Sequence, residues 1–459
     1  MPTAPSSPSR LRRVLTPRTA HYATLVVALV WILFCARGQW FFYDEWDFLK
    51  LSSTDFLTPH LGHWSTAPML LTAALRQTIG LGSYWPYLVP AILIHLGIAH
   101  LLWRIMLRAR VTPWIATALG AVVALYGAGA ENVLWAFQVG FLGAVLIGLI
   151  AVLLADGLSR ENYRRRAPGI ILLTAVSLTF SGTALPMLAA VGLVVWRRVR
   201  FWRAVLILAP SAAVYAVWYA YVKLHPVYFM PPGMRIDSAD KVLIDVPAFA
   251  VRMLVGGFQG LSPVPFLGWM IFAALILYAA FTARRLWSAM PMIVGLSAAA
   301  VLFAIVTAAS RIDFSADTST SGRYIYLTTV LLVPLGGAAF TRLASLRRAA
   351  EWVVVASLAA LAVSGAHVML VQGRQQAATE LGARDILNAS IAIMHDPALR
   401  VSDSAYPDPA SAPSLTVGDL RALVDGGYLP AGPWTPAAYD LSLARLTGHT
   451  APGVQGSAP

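Results

Sequence analysis

From residue 21 to residue 371 the chain is a succession of apolar runs, each about twenty residues long, and the connections between them are alternately crowded with arginine. A run of that length crosses a hydrocarbon layer only as a helix, because in lipid every backbone N–H and C=O must be paired within the segment. Charged residues make up 12% of the 459 residues and hydrophobic ones 58%, whereas a soluble domain carries roughly 25% charged residues. No alternating pattern of tilted strands appears, which excludes an outer-membrane barrel. The sequence predicts an all-α polytopic membrane protein with about eleven transmembrane helices.

The arginines set the orientation. Twenty of them fall in the N-terminal tail and in every second connection, in company with only Asp156, Glu161 and Glu351. Short cytoplasmic loops carry such an excess, so the net charge of +13 is explained without a nucleic-acid partner. Residues 1–20 read as a cytoplasmic tail and 21–371 as the transmembrane domain, with external loops at 38–83, 223–263 and 310–323. Residues 372–459 read as a small extracytoplasmic C-terminal region whose end is disordered. The stretch 167–196 has arginine clusters at both ends and "SGTALP" in its middle, so it reads as two short spans or a re-entrant pair. The first run has no small-residue exit, so it is expected to stay as an uncleaved helix. The single cysteine, Cys35, excludes an intrachain disulfide. Arginine outnumbers lysine 31 to 3, a bias of GC-rich coding that points to a bacterial plasma membrane.

Four polar groupings stand out against this apolar background. The first, "FFYDEWDFLK" at 41–50, opens the first external loop with Asp44, Glu45 and Asp47 among aromatics. In a helix begun there, Asp44 and Asp47 share a face while Glu45 points elsewhere. "HLGHWS" follows, with His60, His63 and Trp64 ahead of an apolar segment that suits an interfacial helix or burial between spans. Next, "GAGAENVLWAFQVGF" carries Glu131, Trp135 and Gln138 at i, i+4, i+7, one helical stripe at membrane depth. Last, "SRIDFSADTSTSGRYIYL" places Arg311, Arg323 and Tyr324 at an outer membrane entrance, where a guanidinium suits bidentate phosphate binding. His60 and His63 stand at i, i+3, where interfacial hydrogen bonding competes with metal binding. A divalent cation therefore stays open, and no other cofactor is called for.

"YDEWD", "HLGHWS", the outer "SGRY" and the external tail, in that order, resemble the C-type (GT-C) multi-span glycosyltransferases, which use polyprenyl-phosphate-linked sugars. The resemblance implies that Asp44, Asp47 and Glu45 form the catalytic acidic cluster, with Asp44 leading as general base. The partners it implies are a polyprenyl-phosphate sugar donor, a glycan, lipid or protein acceptor of the cell envelope, and membrane lipids. His60, His63, Trp64, Glu131, Trp135, Gln138, Arg311, Arg323 and Tyr324 are then the candidates for substrate binding. The competing reading is a proton- or cation-coupled transporter or flippase that uses Asp44, Asp47 and Glu131. Transporters place such groups near the midplane and are often built from related halves. Here the acids lie at one face and no internal repeat is evident.

Overall fold

The computed structural model describes residues 16–53, 55–225, 238–313 and 315–448. The tail to residue 15, the part of the external loop from 226 to 237 and the end read as disordered lie outside the described residues. Helix α1 (Pro17–Cys35) starts at a capping box in which Thr16 and Thr19 satisfy each other's backbone N–H groups. A loop with the short α2 (Glu45–Leu49) and a hairpin of β1 (Pro59–His60) and β2 (His63–Trp64) leads to α3 (Thr66–Ile79). Then come α4 (Trp85–Arg108), α5 (Pro113–Ala124), the short α6 (Ala130–Leu134), α7 (Val139–Asp156), α8 (Tyr163–Leu178) and α9 (Ala184–Arg198). The second half runs through α10 (Phe201–Leu224), α11 (Val246–Gln259), α12 (Leu267–Ala289), α13 (Pro291–Arg311) and α14 (Gly322–Ala344). It ends with the 47-residue α15 (Arg348–Met394), α16 (Val417–Asp425) and α17 (Pro436–Thr447).

Nine helices among the described residues are long and apolar enough to cross a membrane, or ten if the bent pair Pro113–Ala124 and Gly127–Leu134 counts as one span. The chain is a multi-pass membrane protein. Its charged ends separate onto two faces. On one, Arg108, Arg110, Arg198, Arg285 and Arg342 surround a single cavity, and Arg198 pairs with Asp156 at 2.5 Å. On the other lie the acidic loop, the α8–α9 turn and the α13–α14 connection.

The awkward stretch 167–196 contains the two antiparallel helices α8 and α9, each roughly 23 Å long at 1.5 Å per residue. Their turn lies on the acidic-loop face, where the Thr179 carbonyl accepts the Ala67 N–H at 3.0 Å. Their far ends carry the arginines.

Part of the stretch read as the loop 223–263 is helical. A π-helical turn, Lys241–Asp245, continues directly into α11. Lys241, Asp245 and Arg252 dilute its hydropathy, which is why the sequence reads as loop. Although this run is long enough to span, Lys241 pairs with Asp313 and Gly256 packs against Thr320. Both ends therefore meet the α13–α14 connection, and the helix lies along the acidic-loop face instead of crossing. Setting it aside from the nine, and adding the bent pair, α8 and α9, gives about eleven passes.

The helix that forms the last span does not stop at residue 371. α15 continues as one helix to Met394, about 70 Å in all, and the C-terminal helices fold back beside it onto the acidic loop. The Tyr43 N–H donates to the Ser411 carbonyl and the Leu81 N–H to the Tyr428 carbonyl, both at 2.7 Å. Gly80 makes that approach possible: its φ is 74°, and a Cβ there would sit 3.0 Å from the Tyr428 carbonyl oxygen.

Candidate active site

Asp44 and Glu45 are adjacent in sequence and opposite in environment. Glu45 turns inward, where its carboxylate accepts the Phe42 N–H at 2.8 Å, the Tyr84 hydroxyl at 2.8 Å and the Phe137 N–H at 3.1 Å. Burial pushes its carboxyl well above the usual range, and the neighbouring Glu380 adds to the shift against those hydrogen bonds. Asp44 turns to the other side, with Oδ2 3.8 Å from His60 Nε2. Asp47, one turn on, has Oδ2 3.5 Å from His60 Nδ1 and Oδ1 3.4 Å from Lys50 Nζ. Arg76 closes the end of α2, its Nη1 donating to the Leu49 and Lys50 carbonyls at 2.7 and 2.9 Å.

The two histidines sit across a hairpin, not along a helix. Leu61 and Gly62 take positive φ values of 46° and 85°, the two-residue turn that matches strand twist, and His60 pairs with His63. The His63 imidazole is pushed down to about 3 by burial, with Arg311, His60 and Arg323 opposing its charge. It is therefore neutral at ordinary pH. Gly182 in the α8–α9 turn approaches so closely that a Cβ would lie 2.8 Å from His63 Nδ1. Trp64 faces away, stacked on Trp218 at 5.2 Å with its N–H bonded to Thr66.

The expected stripe of Glu131, Trp135 and Gln138 is interrupted. α6 ends at Leu134, Trp135 is extended (φ −114°, ψ 113°), and a 3₁₀ turn over Ala136–Gln138 leads into α7. The break frees backbone N–H groups that lipid would leave unpaired. Tyr84 accepts the Ala136 N–H at 2.8 Å and Glu45 accepts that of Phe137. Glu45 thus holds together two irregular segments, the acidic loop and the α6–α7 break. Trp135 packs on Phe137 at 5.1 Å. Glu131 accepts the Arg323 backbone N–H at 2.9 Å and lies 3.4 Å from its guanidinium.

These elements enclose a cavity of about 330 Å³, which Asp44, His60, His63, Gln138, Arg311 and Arg323 all help to line. Tyr324 also lines it, beneath the Arg323 guanidinium at 5.3 Å. Glu45, Asp47, Trp64, Glu131 and Trp135 do not line it; Asp47 and Glu131 act on it through His60 and Arg323. Within this lining, His60 Nε2, Gln138 Oε1 and Arg323 Nε are buried without a protein hydrogen-bond partner. Such groups are costly to leave unpaired, and they give a polar ligand something to bind. Sequence reading missed the aromatic walls, Phe137, Phe141 and Phe180, and Ser181 beside them. The turn residues "FSGT" between two short apolar runs are the signal that marks 180–183.

Asp44, Asp47 and His60 each offer one donor atom within 4.8 Å of the others. Two carboxylate oxygens and an imidazole nitrogen suit a divalent cation of intermediate hardness, and the unpartnered His60 Nε2 fits that use. A cation held there would supply positive charge beside the acids.

No protein-family model and no curated protein sequence matches the chain significantly. Among solved structures, ArnT from Cupriavidus metallidurans in the apo state is similar, with a TM-score of 0.55 over 88% of this chain and 84% of that one. The chain shares the fold of ArnT. A second ArnT structure from that organism, bound to undecaprenyl phosphate, has a TM-score of 0.50 with the same coverage, and identity to both is 16%. Within this fold the acidic first loop, the hairpin and the α13–α14 connection bring Asp44, two histidines and two guanidinium groups around one cavity.

Proposed function

We propose that the protein is a membrane glycosyltransferase that moves a sugar from a polyprenyl-phosphate donor to a cell-envelope glycan, lipid or protein acceptor on the outer face. The observation that carries this reading is the shared cavity: Asp44 lines it together with Arg311 and Arg323. Asp44 accepts the proton of an acceptor hydroxyl as that oxygen attacks the anomeric carbon. The bond from that carbon to the phosphate oxygen breaks, and Arg323 and Arg311 stabilise the charge left on the lipid phosphate. Glu131 fixes the Arg323 fork and leaves its Nε toward the ligand. Asp47 orients His60. ArnT bound to undecaprenyl phosphate supports a lipid phosphate as the leaving group.

The positive-inside rule supports a cytoplasmic arginine face, which puts the N-terminus inside and the acidic loop and C-terminal region outside. Ionisable groups gathered at one face favour transfer over transport. The test is a transfer assay with purified protein and a lipid-linked sugar. Asp44→Asn keeps shape and removes the proton acceptor, so turnover falls by about 10²–10⁴-fold, and Asp47→Asn loses less. Full activity in folded Asp44→Asn protein rules the mechanism out.

A further inference from the structure

We infer that the arginine face binds the phosphate of an anionic phospholipid, in the cavity of about 590 Å³ between the ends of α4, α9, α12 and α14. Arg108, Arg110, Arg198, Arg285 and Arg342 line it, and no carboxylate does. Arg198 is neutralised by Asp156, and Arg108 donates to the Leu153 carbonyl at 3.1 Å. Arg110, Arg285 and Arg342 have no acidic partner among the described residues. Like charges around one cavity repel each other unless an anion enters between them.

Arg110 adds an independent observation. It occupies the left-handed residue position just past the end of α4, with φ 62°. The Val111 N–H reaches back to the Met106 carbonyl at 2.9 Å, as helix C-terminal motifs do, and glycine is the residue that takes this conformation without strain. An arginine kept there holds a guanidinium at the cavity at a conformational cost.

The cavity also has an apolar side, with Val111, Met290 and Ala338 in its lining. Tyr278 of α12 completes that side, and α12 exposes Leu277 and Phe281 (86% exposed) along its outer surface. A headgroup among the arginines with acyl chains along α12 uses both halves. A soluble phosphate uses only the first. Basic pockets between spans bind anionic headgroups by this chemistry.

Full-length protein in detergent, titrated with phosphatidylglycerol and followed by native mass spectrometry, tests the assignment. Phosphatidylcholine serves as the net-neutral control and inorganic pyrophosphate as the soluble competitor. Wild type retains phosphatidylglycerol over phosphatidylcholine, and pyrophosphate does not displace it. The Arg285→Gln/Arg342→Gln pair binds it about thirtyfold more weakly, while the corresponding lysine pair keeps most of the affinity. Arg110→Gly separates binding from folding, since it raises the lipid-free unfolding midpoint while weakening lipid retention. Equal retention in the glutamine pair, equal binding of phosphatidylcholine, or displacement by pyrophosphate each overturns the proposal.

Discussion

The two faces of the helical layer handle charge in opposite ways. On the arginine face one sign is repeated on the ends of successive helices, and most of those side chains are open to their surroundings. Around the cavity on the acidic-loop face, charges of both signs stand together and hold one another in place. Arg323 is held by Glu131 from two directions, Asp44 and Asp47 bracket one imidazole, and Glu45 is buried under three hydrogen bonds. Repeated charge orients a chain in a membrane without any particular geometry. Opposed charge around a small cavity requires every participant to be placed by a neighbour, which is the condition for chemistry.

The sharpest way to break this contrast is to delete one arginine from each face. Arg323→Ala lowers sugar transfer by about 10²–10³-fold, the loss typical of one donor to developing negative charge. Arg323→Lys loses less, since the charge stays and the planar fork goes. Arg285→Ala leaves initial rates within about twofold, because it touches nothing at the cavity with Asp44. Equal losses in a lipid-linked donor assay would erase the distinction.

A second comparison sets two adjacent acids against each other. Glu45→Ala orphans the Phe42 and Phe137 N–H groups and the Tyr84 hydroxyl, at about 1–3 kcal/mol each. Its unfolding midpoint in detergent should therefore fall by the equivalent of about 3 kcal/mol or more. Asp44→Ala removes no such acceptor and stays within about 1 kcal/mol of wild type. Equal destabilisation would mean that Asp44 is structural too.

The smallest effect is a slope. His63, held near 3 against 6.5 in the unfolded chain, takes up its proton between those values only on unfolding. Its contribution to stability is therefore complete above about pH 6.5 and is lost as pH falls toward 3, by up to about 1.4 kcal/mol per unit. Glu45, shifted upward, works in the opposite sense above 4.5. The readout is therefore the difference between wild-type and His63→Gln unfolding midpoints from pH 6.5 downward, which narrows as acid is added. A difference that does not change with pH would mean His63 is already charged in the folded protein.

The sequence made some of this legible because the signals were local and strong. Apolar run length gives the spans, arginine spacing gives the faces, and "YDEWD" after the first span gives the acids. The short α8 and α9 were visible as an ambiguity, since two arginine clusters flanked one run. What stayed hidden depends on contacts distant in sequence. Trp135 breaks a helix that the spacing of Glu131, Trp135 and Gln138 describes as continuous, and the break stands only because Tyr84 and Glu45 accept the freed N–H groups. The hairpin at "HLGH" turns a helical spacing into a cross-strand pair through two positive φ values. Glu380, which accepts the Trp40 N–H at 2.7 Å, lies 340 residues from its partner in a tail that reads as separate.

That last contact makes α15 a lever. The strand of chain that bears Asp44 hangs from it at two points: Glu380 holds the Trp40 N–H, and the Gly373 carbonyl accepts the Gln39 side chain at 2.9 Å. Glu380 stands about 48 Å along the helix axis from its arginine-face end. A tilt of about 2° about that end carries the suspended loop roughly 1.7 Å at this radius, more than the misplacement of about 1 Å that costs an enzyme two orders of magnitude. Between that end and Glu380 lies a glycine-on-glycine contact, Gly127 against the Gly365 carbonyl, too tight to admit a Cβ on either residue. A methyl group added there, outside the lining of the cavity that holds Asp44, should swing the carboxylate off its mark.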